Sequence, residues 1–178
     1  VGGVVAAAGM IVALPEIVAI GAAVAVGAVA VGAYDHFFTC QVCGTRTGKL
    51  ETLNWDWLPE HLHQQERVCS ICIGGAVGLD FMRYAGAIKC SANVPTFSAR
   101  YKGKVPHSED PTIEVAGGWF LDKDDAEKSL KVTTCYLGKN FASRVREERR
   151  SVGDTPVRSE WRYIGMAGWN AAIDLDNL

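Results

Sequence analysis

The hydrophobic pattern divides the chain into an apolar N-terminal segment and a more polar remainder. Residues 17–34 read IVAIGAAVAVGAVAVGAY and contain no charged side chain. As a helix, these residues would extend about 27 Å, close to the roughly 30 Å hydrocarbon core of a bilayer. Pro15 suits the first position of a helix, and Glu16 suits its first turn, where the helix dipole favours a negative charge. The pattern therefore predicts one transmembrane helix from Pro15 to about Tyr34.

Small side chains recur along this segment at intervals of four residues. They are Ala19, Ala23 and Gly27, and also Ala28 and Gly32. Such spacing lets a second helix approach closely, so these residues form a predicted helix-packing face. Two alternatives remain open: a buried or oligomeric apolar element, and a strand, because the Ala/Val alternation also has a period of two.

The first 14 residues form a second apolar run, which is too short to span a bilayer alone. This run would extend the helix with a kink at Pro15, lie re-entrant in the membrane, or pack against a neighbour. Because the chain begins with Val, we expect a processed N-terminus or an incomplete sequence. Arg46 and Lys49 follow the apolar segment and favour a body on the reducing side of the membrane.

The remainder of the chain alternates between short helical and strand-like patterns. Residues 76–88 carry apolar side chains at helical spacing, and residues 91–111 are rich in turn formers, typical of a loop or edge strand. We predict strands at 112–115, 117–121, 131–137 and within 157–168, a charged turn or helix start at 122–126, and a short charged helix at 141–150. The predicted fold class is α+β, with an N-terminal transmembrane helix, a small four-cysteine zinc-knuckle module and a short-stranded extramembrane region.

Composition and charge narrow the classes of partner. The 178 residues contain 18 Lys and Arg and 20 Asp and Glu, for a net charge of −2. This balance provides no basic surface for nucleic acid and no acidic tail.

The predicted domains are a membrane anchor at 1–38, a metal-binding module at 39–90 and a mixed α+β or extended region at 91–178.

Four of the six cysteines form two C-x2-C pairs, and 25 residues separate the pairs. They are Cys40, Cys43, Cys69 and Cys72. Two intervening residues allow both sulfurs of a pair to point inward from one tight turn, and two such turns supply the tetrahedral sulfur shell that Zn²⁺ favours. Glycines follow each pair, at Gly44 and at Gly74–Gly75, and permit the backbone to turn beneath the ion. A closed shell of four cysteines leaves no open coordination position, which indicates a structural metal.

The paired motif resembles a zinc ribbon or a treble-clef-like knuckle pair. It also has a faint resemblance to the cysteine-rich zinc finger of DnaJ-type chaperones, whose repeat is CxxCxGxG. Cys69, Cys72 and Gly74 fit that repeat, whereas Ala76 replaces its last glycine. With two copies instead of four, this resemblance covers about 35 residues and implies metal binding without chaperone activity. The motif is also similar to that of rubredoxin, an iron protein, which has proline where this chain has Ser70.

One structural zinc ion is therefore the expected cofactor, with iron, disulfides and redox-active thiols as alternatives. We expect Cys90 and Cys135 to be buried, inert thiols, whereas a disulfide between them would imply an oxidising compartment. His36, His61 and His63 flank the cysteine pairs, and we expect them at the surface or an interface. The alternative is that one of these histidines replaces a cysteine ligand or binds a pigment or haem.

Two tryptophans lie in the insert between the cysteine pairs. Trp55 and Trp57 stand among acidic and amide side chains. Tryptophan favours positions with one apolar and one wet side. These residues are therefore predicted to contact a partner subunit or the membrane surface, or alternatively to complete a small core beside the metal.

The sequence contains no phosphate-binding loop, dinucleotide fingerprint, GxSxG or HExxH motif. It therefore favours a non-catalytic accessory subunit of a membrane complex of photosynthetic or respiratory type, in an organellar inner, thylakoid or bacterial membrane. The expected partners are other subunits and the lipid bilayer. The alternatives are a membrane-tethered thiol or iron redox protein, and a pore-forming or virion-associated membrane protein.

Overall fold

A computed structural model describes residues 38–64, 66–153 and 156–175, which form an α+β fold with two sheets and three α-helices. In chain order the elements are β1 (Leu50–Thr52), β2 (Arg67–Cys69), α1 (Ser70–Ile73), α2 (Ala76–Cys90), β3 (Thr96–Ser98), β4 (Ile113–Ala116), α3 (Lys123–Tyr136), β5 (Phe141–Val152) and β6 (Arg158–Gly168). Short 3-10 turns lie at Glu60–Leu62 and Ser91–Asn93.

The described helices contradict two predictions, the membrane-anchored fold class and the membrane localisation. A spanning helix needs about 20 consecutive apolar residues, whereas α2 has 15 residues and α3 has 14. Within the described ranges, no helix is long and apolar enough to cross a bilayer. The segment predicted to span, residues 15–34, lies outside the described residues. So do the predicted helix-packing residues Ala19, Ala23, Gly27, Ala28 and Gly32.

The larger sheet has four strands in the order β3-β5-β6-β4. Strands β5 and β6 form a long antiparallel hairpin, from the pair Phe141–Gly168 to the pair Val152–Arg158. Strand β3 lies parallel to β5 at one edge, and β4 lies antiparallel to β6 at the other. Strands β1 and β2 form a separate antiparallel hairpin beside the cysteine pairs.

The helix predicted at residues 141–150 is instead part of strand β5, so this prediction is wrong. Arg144 and Glu148 are four residues apart, a spacing that suggested a helical ion pair. The nearest charged partner of Glu148 is Arg162, directly opposite on β6, with nitrogen and oxygen 2.7 Å apart. Arg150 pairs in the same way with Glu160 at 2.6 Å. Cross-strand pairs of opposite charge stabilise the hairpin in place of a helix.

The strand predicted at residues 131–137 is also wrong, because most of this segment belongs to helix α3. The helix begins after Asp122, whose carboxylate accepts hydrogen bonds from the backbone N–H groups of Asp124 and Asp125. The predicted charged segment at 122–126 is thus a helix start. Further along, the hydroxyls of Thr133 and Thr134 donate to backbone carbonyls four residues earlier. These bonds satisfy the buried hydroxyls within the helix.

Other predicted elements agree with the structure. Helix α2 includes the predicted helix at 76–88, β4 overlaps the strand predicted at 112–115, and β6 lies within 157–168. Strand β3, at the edge of its sheet, lies within the predicted loop or edge strand at 91–111. The strand predicted at 117–121 is the exception and is wrong, because the segment forms only a single bridge, between Phe120 and Trp161.

Helix α3 contributes to both clusters of buried apolar side chains. The first cluster lies beside the cysteine pairs and includes Val132 and Tyr136, and the second includes Leu130 against the larger sheet. Cys90 and Cys135 are joined by a disulfide that links the ends of α2 and α3. The expectation of two buried, inert thiols is therefore wrong, and the alternative of a disulfide between them is the arrangement present. The helix that packs against the larger sheet is therefore tied covalently to the cysteine-rich half of the molecule.

Candidate metal centre

The first cysteine pair lies on a tight backbone turn. The N–H of Cys40 donates to the carbonyl of Thr45, and the N–H of Gly44 donates back to the carbonyl of Cys40, both at 2.9 Å. Gly44 has φ +70°, a conformation that side chains other than glycine rarely adopt. The predicted role of Gly44 beneath the cysteine pair is therefore consistent with this turn.

The second pair lies where strand β2 passes into helix α1. Cys69 ends β2, and Cys72 lies within the short helix that follows. Gly74 and Gly75 have negative φ, so the chain needs no left-handed turn there. The two pairs thus use different backbone conformations to direct their sulfurs to one point.

Gln41 holds the two pairs together. Its side-chain Oε1 atom accepts hydrogen bonds from the backbone N–H groups of Glu66 (2.8 Å) and Arg67 (2.7 Å). The backbone N–H of Gln41 donates to the carbonyl of Arg67 at 3.0 Å. This positioning residue was not identified from the sequence, where the only signal is an amide side chain between the two cysteines of a pair.

The four cysteine sulfurs form one compact group. All four atoms lie within 4.8 Å of one another, and those of Cys43 and Cys69 are 3.9 Å apart. A tetrahedral ion with sulfur ligands at about 2.3 Å places the sulfurs about 3.8 Å apart. The arrangement therefore fits a zinc-binding knuckle and could hold zinc or iron.

Burial differs among the four sulfur-bearing residues. Cys40 and Cys69 are buried, Cys72 is partly buried and Cys43 is exposed. The backbone N–H of Cys69 donates to the sulfur of Cys40 at 3.4 Å, and the hydroxyl of Thr45 lies 3.2 Å from the sulfur of Cys43. An ion at this position would lie near the surface of the domain, attached on its inner side to the core.

The electrostatics of the group favour a bound cation. Burial acts to raise the pKa of Cys40, but hydrogen bonds from the backbone of Cys43, Cys69 and Val42 outweigh it and lower that pKa to about 6. Burial, together with the neighbouring sulfurs, raises the pKa of Cys72 to about 12. One thiolate therefore forms readily at neutral pH, whereas ionising all four thiols requires a positive charge among them.

Trp55 and Trp57, both predicted at an interface, differ in burial and in the residues that they contact. Trp55 is 2% exposed and packs against Phe81 and Tyr84 of helix α2, so it lies in the core beside the metal centre. Trp57 is partly buried and stacks on Phe120, with ring centroids 5.5 Å apart. These contacts match the alternative that the insert completes a small core.

The candidate metal group found in the described part of the chain consists of the four cysteines. His61 is exposed, and His63 donates from Nε2 to the carbonyl of Leu58 at 2.8 Å. Their predicted alternative role as pigment or haem ligands stays a prediction, and His36 lies outside the described residues. Comparisons of the chain with protein-family models, curated proteins and solved structures give no match.

Proposed function

We propose that this chain is a non-catalytic accessory protein whose interaction domain is stabilised by one structural Zn²⁺. The observation that carries this proposal is the sulfur group of Cys40, Cys43, Cys69 and Cys72, whose spacing suits a closed tetrahedral shell. Four thiolates around a dication leave no open position for a substrate or water. The metal would therefore contribute to folding and would supply no reaction chemistry.

The order of the elements supports a treble-clef-like type of zinc site. A knuckle with Cys40 and Cys43 precedes the β1–β2 hairpin, and the second pair lies at the start of α1. Zinc is favoured over iron because Ser70 occupies the position at which rubredoxin has proline. The resemblance to DnaJ-type zinc fingers is weaker, since it rests on the spacing of one repeat.

The metal would fix both ends of the insert between the cysteine pairs. Within that insert, the backbone N–H of Trp57 donates to the hydroxyl of Tyr84 on α2 at 3.1 Å. Trp55 contacts the same tyrosine ring, at a centroid distance of 5.2 Å. The metal centre would thus hold α2 in place through the insert, leaving the opposite face of α2 available to a partner.

A purified full-length chain tests the metal assignment. We expect one zinc per chain by elemental analysis, and loss of that zinc in Cys69→Ser. The double variant Cys90→Ser, Cys135→Ser is the matched control, because it removes two sulfurs that lie outside the cluster. Zinc retained by Cys69→Ser, or less than one zinc per wild-type chain, would contradict the proposal.

A redox protein is the second candidate, and the exposure of Cys43 favours it because an exposed thiol can reach a reaction partner. Stoichiometric iron, with a visible absorption band that bleaches reversibly on reduction, would replace the zinc proposal by this alternative. A colourless zinc protein would exclude an iron redox role for the site.

A further inference from the structure

Helix α2 has an apolar stripe on one side that no other described residue covers. We define the α2 stripe as Gly75, Leu79, Met82 and Gly86, which follow one another at intervals of four, three and four residues. All four are exposed, and the side chains of Leu79 and Met82 are 62% and 63% exposed. This spacing places Leu79, Met82 and Gly86 along one side of the helix, and Gly75 is the N-cap residue that directly precedes it. Leu79 and Met82 therefore form an exposed apolar pair on a helix face, which is a candidate contact surface.

The α2 stripe is complementary to a second α2 stripe that runs in the opposite direction. Read in either direction, it has the order small, large, large, small at the same intervals. An antiparallel pair of α2 helices would therefore place Leu79 of one copy against Met82 of the other, twice. It would also place Gly75 against Gly86 at both ends. Two-fold interfaces need this kind of self-complementarity, because each surface meets an identical surface.

The charges beside the stripe are complementary under the same two-fold relationship. Asp80 and Arg83 each follow a large stripe residue by one position, so they lie on the same flank. The antiparallel arrangement brings Asp80 of one copy near Arg83 of the other, at two equivalent places. Arg83 is exposed, and its guanidinium carbon lies 5.0 Å from the ring centroid of Tyr136 in the same chain.

We propose that the α2 stripe binds a second copy of this chain and forms an antiparallel, two-fold dimer. Gly86 supports this assignment, because a Cβ atom built there has no neighbour within 4 Å among the described residues of the chain. The described fold therefore does not require glycine at this position, whereas a close helix–helix contact does. The proposal goes beyond the accessory role and holds for zinc or iron at the metal centre.

One helix face provides a small interface, below the roughly 1,200 Å² of a standard-size complex. We therefore expect a reversible dimer with a dissociation constant in the micromolar range. Sedimentation equilibrium of the full-length, metal-loaded chain, from about 1 to 200 µM, measures it directly. Leu79→Glu and Met82→Glu should each raise the dissociation constant at least about tenfold, because each buries a charge at the centre of the contact.

The control for these charge insertions is Val157→Glu. Val157 is also 62% exposed but precedes β6 at the far end of the hairpin, so this variant should dimerise as the wild type does. Gly86→Leu should weaken the dimer without lowering the melting temperature measured at low concentration. Asp80→Arg should weaken it as well, and addition of Arg83→Asp should restore it, since the reversed pair has the same complementarity.

Three results would overturn the proposal. The first is a wild-type chain that is monomeric across the whole concentration range. The second is a dimer that persists unchanged in both Leu79→Glu and Gly86→Leu, which would place the contact elsewhere. The third is a monomer whose melting temperature falls in Leu79→Glu, which would assign the α2 stripe to a contact within the chain. Metal content measured on the same samples separates failure of the dimer from failure of the metal site.

Discussion

The sulfur of Cys43 lies 3.9 Å from the sulfur of Cys69, 26 positions further along the chain. Gln41 maintains this distance, since its amide oxygen accepts two backbone N–H groups next to the second pair. The sulfurs therefore approach tetrahedral spacing through contacts of the protein itself. An ion entering the group would find ligands that are already close together, which lowers the entropy cost of binding.

The affinity for zinc should fall steeply as the solution becomes more acidic. Burial and neighbouring sulfurs raise the pKa of Cys72 to about 12, so its thiol is protonated at neutral pH and must lose its proton when the ion binds. Each displaced proton weakens binding about tenfold per pH unit of acidification. We therefore expect at least a 100-fold loss of affinity between about pH 8 and pH 6, measured by competition with a chromophoric chelator.

The lower pKa of Cys40 adds to this effect at the acidic end. Its thiol, with a pKa of about 6, is ionised above that pH and becomes protonated below it. The slope of affinity against pH should therefore steepen below about pH 6. An affinity independent of pH would contradict a thiolate site.

Substitution of Gly78 should destabilise the fold, although the residue lies within a helix. A Cβ atom built at Gly78 overlaps the carbonyl group of Ile73, so the turn between α1 and α2 would have to move. We expect Gly78→Ala to lower the free energy of unfolding by about 1–3 kcal/mol. Gly86→Ala is the control on the same helix. It meets no atom within 4 Å and should raise the free energy of unfolding by about 0.5–1 kcal/mol.

Urea denaturation at low protein concentration measures both glycine variants. Low concentration is needed because Gly86 belongs to the α2 stripe. Equal effects of the two substitutions would mean that helix propensity alone decides them, and that the contact with Ile73 is unimportant.

The sequence predicts those parts of the fold that depend on residues close together along the chain. The two cysteine pairs, and the helix at 76–88, are local patterns, and both correspond to features of the structure. The segment at 141–150 is different, because the partner of Glu148 is Arg162 on another strand. The spacing of charges within the segment resembles that of a helix, whereas the strongest ion pairs are made with the neighbouring strand of the hairpin.

The same reasoning explains the segment at 131–137. Its β-branched residues favour a strand when considered alone. In the structure Thr133 and Thr134 are buried in α3, and their hydroxyls bond to carbonyls of the same helix. Burial between two cores decides the conformation, and burial is not readable from such a short window of sequence.

Arg144 occupies a strained position in strand β5. It has φ 52°, and it lies at a bulge where the pairing with β6 shifts between Ser143 and Arg146. A left-handed conformation costs a residue with a side chain about 1–2 kcal/mol, whereas glycine adopts it freely. After allowance for the greater entropy of unfolded glycine, Arg144→Gly should stabilise the protein by about 0.5 kcal/mol.

Arg146→Gly is the control, because Arg146 lies just after the bulge and is the first residue there to pair again with β6, opposite Ile164. It should destabilise, since glycine weakens a regular strand. Thermal unfolding of the two variants should therefore shift in opposite directions. A lower melting temperature for Arg144→Gly would show that the Arg144 side chain stabilises the fold by more than its left-handed backbone conformation destabilises it.

Ser129 joins three parts of the fold through one buried hydroxyl. Its Oγ donates to the carbonyl of Trp57 and accepts from the N–H of Gly118, both at 2.7 Å. Ser129 itself is fully buried on helix α3. Ser129→Ala would leave two backbone groups without their partner, and each buried unsatisfied group costs about 1–3 kcal/mol. We expect a loss of about 2–4 kcal/mol in the free energy of unfolding.

Thr133→Val provides the control for loss of a buried hydroxyl. The Thr133 hydroxyl donates only within α3, to the carbonyl of Ser129, which also belongs to the helix. Because valine preserves the shape and leaves no partner from another element unsatisfied, Thr133→Val should cost less than about 1 kcal/mol. The intrinsic fluorescence of the tryptophans should change in Ser129→Ala and stay constant in Thr133→Val, since only the first releases the backbone of Trp57. Similar stability losses in the two variants would show that Ser129 acts through helix packing and not as a link between the insert, α3 and the segment after β4.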